Sequence, residues 1–151
     1  MLPGGGTDTN IGCDLVGSAT FGQLAVGETA REAAAVKDVL GLLGIPYLWA
    51  GESPHSGFDC SGLMQFVYRG VGISLPRVAQ NQFEAGPVVA PGTVVEPGDL
   101  VFFGPSANDV KHVGMYVGDA MMVDAPRSGA VVRFDAIRGF GTIVGVTAPG
   151  Q

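Results

Sequence analysis

Side chains able to act as nucleophile or base are few in this chain: two cysteines, Cys13 and Cys60, and two histidines, His55 and His112. Cys60 has the more informative surroundings. It lies in Gly57-Phe58-Asp59-Cys60-Ser61-Gly62-Leu63, after a Gly/Pro-containing approach that starts at Gly51. An apolar run at helical spacing follows it: Leu63, Phe66, Val67 and Val71. Asp59 fits an N-cap, which puts Cys60 in the first turn of the helix. A thiol there meets unpaired N–H groups and the positive end of the helix dipole, and both favour the thiolate. A nucleophile needs that setting. A buried core cysteine fits the same local pattern, and the segment alone leaves both readings open. Cys13 and Cys60 can pair or stay free. A disulfide would silence Cys60, so the two roles exclude each other in any one redox state.

His55 lies in the loop before Cys60 and reads as a solvated loop residue. His112 opens an alternating apolar stretch in which Val113, Met115 and Val117 share one side. A lone histidine at a strand end is commonly structural. Twelve residues on, however, Asp124 is the single acid in Met121-Met122-Val123-Asp124-Ala125-Pro126. An acid inside such a run is costly without a partner. Adjacent antiparallel strands place His112 beside Asp124, so that one imidazole nitrogen faces a cysteine and a carboxylate holds the other. That is the logic of nucleophile, base and orienter. The same three residues make a poor zinc set by spacing, and no second Cys or His pair supports one. The five methionines are scattered and read as core filler.

These residues need elements to hold them. Thr29-Ala30-Arg31-Glu32 fits a capping box. It opens a helix whose face carries Ala33, Val36, Leu40 and Leu43, with Gly44 and Pro46 marking its stop. Tyr47 to Gly51 reads as a short extended or looped piece. The cysteine helix ends near Gly70-Val71-Gly72, Leu75-Pro76-Arg77 is a turn, and Val78 to Ala85 reads as a shorter helix. Beyond it the period changes. Asp99 to Phe103, His112 to Gly118, Met121 to Ala125, Ala130 to Phe134 and Thr142 to Val146 read as strands, with a hairpin across Gly118-Asp119-Ala120. Helices first and consecutive strands after predict an α+β fold with a mostly antiparallel sheet of five to six strands. Residues 1–28 are Gly- and Thr-rich with weak periodicity and read as an arm or linker, and residues 29–151 as one domain.

The 151 residues suffice for one domain with a real core. The net charge of −6 argues against binding nucleic acid or anionic lipid through a broad basic surface. No apolar run approaches the roughly 18 to 20 residues of a membrane span. The start, Met1 to Gly6, lacks the basic and apolar regions of an export signal. If the protein is exported, this chain is a mature or excised piece.

Several ordered segments then carry a resemblance: Tyr47-Leu48-Trp49-Ala50-Gly51, Phe58-Asp59-Cys60-Ser61-Gly62-Leu63, Leu75-Pro76-Arg77, Gln82, Pro97-Gly98-Asp99-Leu100-Val101-Phe102-Phe103, His112 to Gly118 and Ala125-Pro126. Together they resemble the NlpC/p-sixty family of papain-like cell-wall cysteine peptidases, over about residues 29 to 147. The resemblance implies a papain-like domain with the nucleophile helix packed on the sheet. It implies cleavage of peptidoglycan stem peptides, typically between D-γ-glutamyl and meso-diaminopimelyl residues, without metal or organic cofactor. It matches Cys60 to the nucleophile, His112 to the base and Asp124 to a third polar residue. Tyr47, Trp49, Asp59, Ser61 and Arg77 fall on oxyanion or substrate-binding positions. Asp99, Gln82 and Tyr116 read as structural, Trp49 as core aromatic or substrate contact, and Arg77 also as a surface charge or helix-capping partner. Ala50 and Ala79 depart from the family's usual Gly and Ser. The missing Ser weakens the case for strict recognition of a free substrate amine. The expected protein is a monomeric, extracytoplasmic peptidoglycan endopeptidase acting at the wall or secreted. Its rival is a non-catalytic peptidoglycan-binding module on the same fold, and a related amidase or acyltransferase is a third reading. The N-terminal arm, with Cys13, Phe21, Leu24 and Val26, either crosses the cleft and restrains activity or is a plain linker.

Overall fold

The computed structural model describes residues 29–151. The arm, Cys13 and any pairing of Cys13 lie outside the described residues. The first element is α1 (Ala30–Leu40), and its capping box is formed on both sides: Glu32 N–H donates to the Thr29 hydroxyl, and Thr29 N–H to the Glu32 carboxylate. The helix stops at Leu40, short of the expected Leu43, because Gly41 caps it with contacts to the Lys37 and Asp38 carbonyls. Its fully buried face is Glu32, Ala35 and Val39, rotated from the expected stripe, while Leu43 is largely exposed. Glu32 is drawn inward by the cap and by a bond from the Gln151 side chain.

A two-stranded ribbon, β1 (Glu52–Ser53) with β2 (Gly57–Phe58), occupies the loop before the cysteine. The helix α2 (Cys60–Gly70) follows, capped by Asp59, whose carboxylate accepts from Gly62 N–H at 2.7 Å. Its fully buried side is Ser61, Gly62, Leu63, Met64, Val67 and Tyr68. The short α3 (Ala79–Ala85) comes next.

The strands are β3 (Leu100–Phe103), β4 (His112–Gly118), β5 (Met121–Asp124), β6 (Arg133–Ala136) and β7 (Ile143–Thr147). They form one antiparallel sheet in the order β6-β5-β4-β3-β7. The β4–β5 hairpin turns through Gly118, Asp119 and Ala120, all at positive φ. The main core lies between helices and sheet, with Leu63, Val67 and Tyr68 of α2 clustered with Leu100, Phe102, Val113 and Met115. Val101, Phe103 and Met122, with Tyr116, Ile137, Phe140 and Val146 against them, form a second cluster. Among the described residues no helix is long and apolar enough to cross a membrane.

The segment read as a strand at Ala130 to Phe134 divides. Its first part pairs with the chain before the ribbon: Gly44 N–H donates to Val132, Val132 N–H to Ile45 and Tyr47 N–H to Ala130. Only from Arg133 does the chain join β5. The backbone groups of residues 130–132 are spent on anchoring residues 44–47, just ahead of the ribbon that leads to the cysteine helix.

Ala50 stands at φ 63°, a left-handed conformation that an L side chain resists by roughly 1–2 kcal/mol and glycine does not. The local strain outweighs glycine's extra freedom in the unfolded chain. Ala50→Gly is therefore expected to raise stability by roughly 0.5–1 kcal/mol in urea unfolding; a loss would contradict this account of the turn.

Candidate active site

Cys60 is the first residue of α2, half-buried and with a free thiol. What holds that helix end is a clamp centred on Arg77. Its guanidinium grips Asp59 with two nitrogens, at 3.0 Å to Oδ1 and 2.8 Å to Oδ2, and reaches the Ser61 hydroxyl at 3.0 Å. Further contacts run to Glu52 at 3.3 Å and to the Gly51 carbonyl at 3.4 Å. A planar fork on a carboxylate fixes direction as well as distance. Gln82 adds a second brace: its amide donates to the Ser61 carbonyl at 3.0 Å and to Pro76 at 2.8 Å. Gly62 lies so close to Gly51 that a Cβ there would collide with the Gly51 carbonyl and meet Asp59 Oδ1. The Asp-Cys-Ser-Gly run is thus a helix start locked against the ribbon loop.

His112 begins β4, opposite Phe103. Its Nε2 is 2.7 Å from Asp124 Oδ2, with Asp124 fully buried and only 12% of the His112 side chain exposed. Phe140 stacks on the imidazole at 5.0 Å and 24°, and Phe103 flanks it at 5.9 Å. The Cys60 thiol is near enough to His112 to raise the imidazole pKa. With Nε2 on Asp124, the other ring nitrogen is left for sulfur. Burial works against the charged imidazole, but the bond to Asp124 and the nearby Cys60, with the negative charge of both, prevail and lift its pKa to about 9. Burial also pushes Asp124 up, to about 6; His112 pulls it down and the neighbouring Asp135 pushes it further up. Between those two values Asp124 is anionic and His112 cationic, so at neutral pH the pair is an ion pair.

The expected residues therefore divide by place. His112 and Asp124 are in direct contact, and Cys60 is near enough to act on the charge of His112. Tyr47 stands beside them: partial burial raises its pKa first, then the charges of Cys60 and Asp59. Asp59, Ser61 and Arg77 form the clamp. Trp49 is 80% exposed, so it is no core aromatic. His55 is an exposed loop residue whose N–H bonds Ser53. Asp99 accepts from Glu96 N–H in a turn, as expected. Among the described residues no group of three or more His, Cys, Asp and Glu is arranged to hold a metal ion.

Sequence reasoning missed Phe140, which no motif marks, and Asp135. Asp135 alternates with Arg133 in a strand, a usable signal, but it fell outside the expected strand limits. It also missed why Gly114 follows His112 by two. A Cβ at Gly114 would lie 2.5 Å from Met122 Sδ and 3.3 Å from Asp124 Cβ. The hydrogen there leaves Asp124 room to stand opposite the imidazole.

Comparison with known proteins fits this arrangement. The NlpC/P60 family matches residues 44–142, and the chain belongs to that family. Peptidoglycan endopeptidase RipA of Mycolicibacterium smegmatis is 36% identical over 117 residues, which are 70% of this chain and 23% of RipA. The gamma-DL-glutamyl hydrolase of Bacillus subtilis is 36% identical over 111 residues, 72% of this chain and 27% of that protein. The chain thus spans about a quarter of the length of these two relatives. An NlpC/P60 family protein from Bacillus cereus superposes with a TM-score of 0.74 at 31% identity, covering 82% of this chain and 42% of that one. The α+β fold read from the sequence is the fold of this family, with five strands in its main sheet.

Gly114→Ala is expected to cost roughly 1–3 kcal/mol by overpacking. It should also slow alkylation of Cys60 by iodoacetamide, because Asp124 is displaced from His112. Wild-type stability and wild-type alkylation together would contradict the packing account.

Proposed function

We propose that this domain is a cysteine peptidase that cleaves peptidoglycan stem peptides outside the cytoplasm, at the D-γ-glutamyl–meso-diaminopimelate bond. The observation that carries the reading is the His112 imidazole held at 2.7 Å by the buried Asp124 carboxylate, with the Cys60 thiol at the start of α2 close enough to act on its charge. A structural cysteine has no use for a histidine whose far nitrogen is fixed by an acid. Kinship with proteins named as a peptidoglycan endopeptidase and a gamma-DL-glutamyl hydrolase supports peptidoglycan as the substrate class and a γ-glutamyl linkage as the point of attack.

The Cys60 thiolate attacks the γ-glutamyl carbonyl. The Cys60 N–H, in a first turn that offers no intrahelical acceptor, and the Tyr47 hydroxyl receive the oxyanion. The His112 imidazolium gives its proton to the leaving amine. Water then attacks the thioester with His112 as base, and the acyl group leaves as the acid. Asp124 keeps His112 charged and aimed. Trp49, exposed to solvent, serves as a contact for substrate. Asp59 serves the site as a clamp rather than as an amine receptor, because Arg77 engages both of its oxygens. That favours cutting within the wall over recognising a free peptide amine.

Digestion of purified peptidoglycan, read by mass spectrometry, tests this. Wild type is expected to release fragments ending at the γ-glutamyl residue and Cys60→Ala none. Equal products from both, or none from reduced wild type, would sink the peptidase and leave wall binding as the alternative. The pH dependence has a definite sign. Asp124 becomes anionic above about 6 and His112 loses its proton above about 9, so kcat/KM is expected to plateau between those values. Asp124→Asn removes the anion that holds His112 charged. It should lower kcat by roughly 100-fold and move the alkaline limb to lower pH.

A further inference from the structure

Behind the His112–Asp124 pair lies a second row of charge. β5 and β6 pair with Asp124 opposite Arg133 and Met122 opposite Asp135. Residues paired across an antiparallel ladder share a face, and so do residues two apart on a strand. Asp124, Arg133 and Asp135 therefore stand on one face. Arg133 Nε donates to Asp135 Oδ2 at 3.0 Å, and this ion pair is partly open to water, with 35% and 20% of the two side chains exposed. Asp124 is fully buried. Its Oδ2 faces His112, and its Oδ1 has no hydrogen-bond partner within the described residues. A buried carboxylate oxygen left in that condition is costly.

Asp135 stands diagonal to Asp124 across the β5–β6 ladder and is its acidic neighbour from β6, acting on it as a like charge. Two carboxyl groups that interact take up protons in separate steps. The charged groups facing Asp124 are thus His112 from β4, with Cys60 of α2 beyond it, and Arg133 and Asp135 from β6. A negative Asp135 makes Asp124 easier to protonate. A positive Arg133 makes it harder, both directly and by neutralising Asp135.

We propose that Asp135, held by Arg133, is a positioning residue for the His112–Asp124 pair: it acts on Asp124 as a like charge and sets the pH below which Asp124 releases His112. Its catalytic consequence rests on the peptidase reading; the coupling of the four groups does not. The protein uses a half-buried ion pair to tune a buried one.

The chain has only two histidines, so the imidazole Cε1–H of His112 is readily followed by NMR, with His55→Gln used to assign it. In the full chain, its acidic step reports protonation of Asp124. Asp135→Asn, which keeps the shape and removes the charge, is expected to move that step down by about one pH unit. Asp135→Ala is expected to move it in the same direction. Arg133→Gln should move it up by a similar amount, and Arg133→Lys should stay near wild type. The acid limb of wall digestion should follow the NMR step in each variant. Steps unmoved in folded variants, or moved the same way by loss of Asp135 and loss of Arg133, would overturn the proposal. Opposed shifts without wall cleavage by any variant would sustain the coupling and refute the peptidase reading alone.

Discussion

A 2.7 Å contact between an imidazole and a fully buried carboxylate is the constraint around which this sheet is arranged. Desolvating two charges is unfavourable, and their attraction offsets it only when the geometry is good. The geometry here is supplied by the β4–β5 hairpin, which returns the chain so that Asp124 comes back beside the start of β4. Gly114 clears the space between, and Phe103 and Phe140 close over the ring. Apolar walls that make the pair costly also strengthen it by excluding water. The result is a histidine that keeps its proton at neutral pH in surroundings that would otherwise strip it.

The second partner of that histidine is brought from the other half of the chain. Cys60 depends on the position of one helix terminus, and a terminus is the part of a helix most prone to fray. Four features hold it: the Asp59 cap, the Arg77 fork, the Gln82 brace and the close approach of Gly51 to Gly62. Rigidity there matters because proximity effects in catalysis fall off over fractions of an ångström. Arg77 also illustrates how one residue serves packing and function together. Its guanidinium, on a position the sequence marks for substrate binding, holds the first turn of α2 through Asp59 and Ser61.

The two assemblies meet on opposite sides of one core. Leu63, Val67 and Tyr68 press α2 onto Leu100, Val113 and Met115, so the separation of sulfur and imidazole is set by ordinary side-chain packing. Stability and reactivity are therefore coupled: a core change that tilts α2 moves Cys60 relative to His112.

Local chemistry was legible in the sequence because it depends on neighbours a few residues apart. The Thr29–Glu32 capping box, the Asp59 cap and the Gly118–Ala120 turn are short-range hydrogen-bonding and backbone preferences, and each is where the residues placed it. Cys60, His112 and Asp124 could be named for the same reason: a thiol at a helix start, a histidine at a strand start and a solitary acid in an apolar run. What tertiary structure decided is everything that depends on register and long-range contact. It turned Glu32 toward Gln151, split residues 130–134 between residues 44–47 and β5, committed Arg77 to Asp59, and brought Phe140 and Asp135 to the His112–Asp124 pair. The partners of these side chains have no local signature, since a one-residue slip in a ladder would send the same side chains to the other face. The sequence marked the candidate residues; the packing of strands against one another chose their partners.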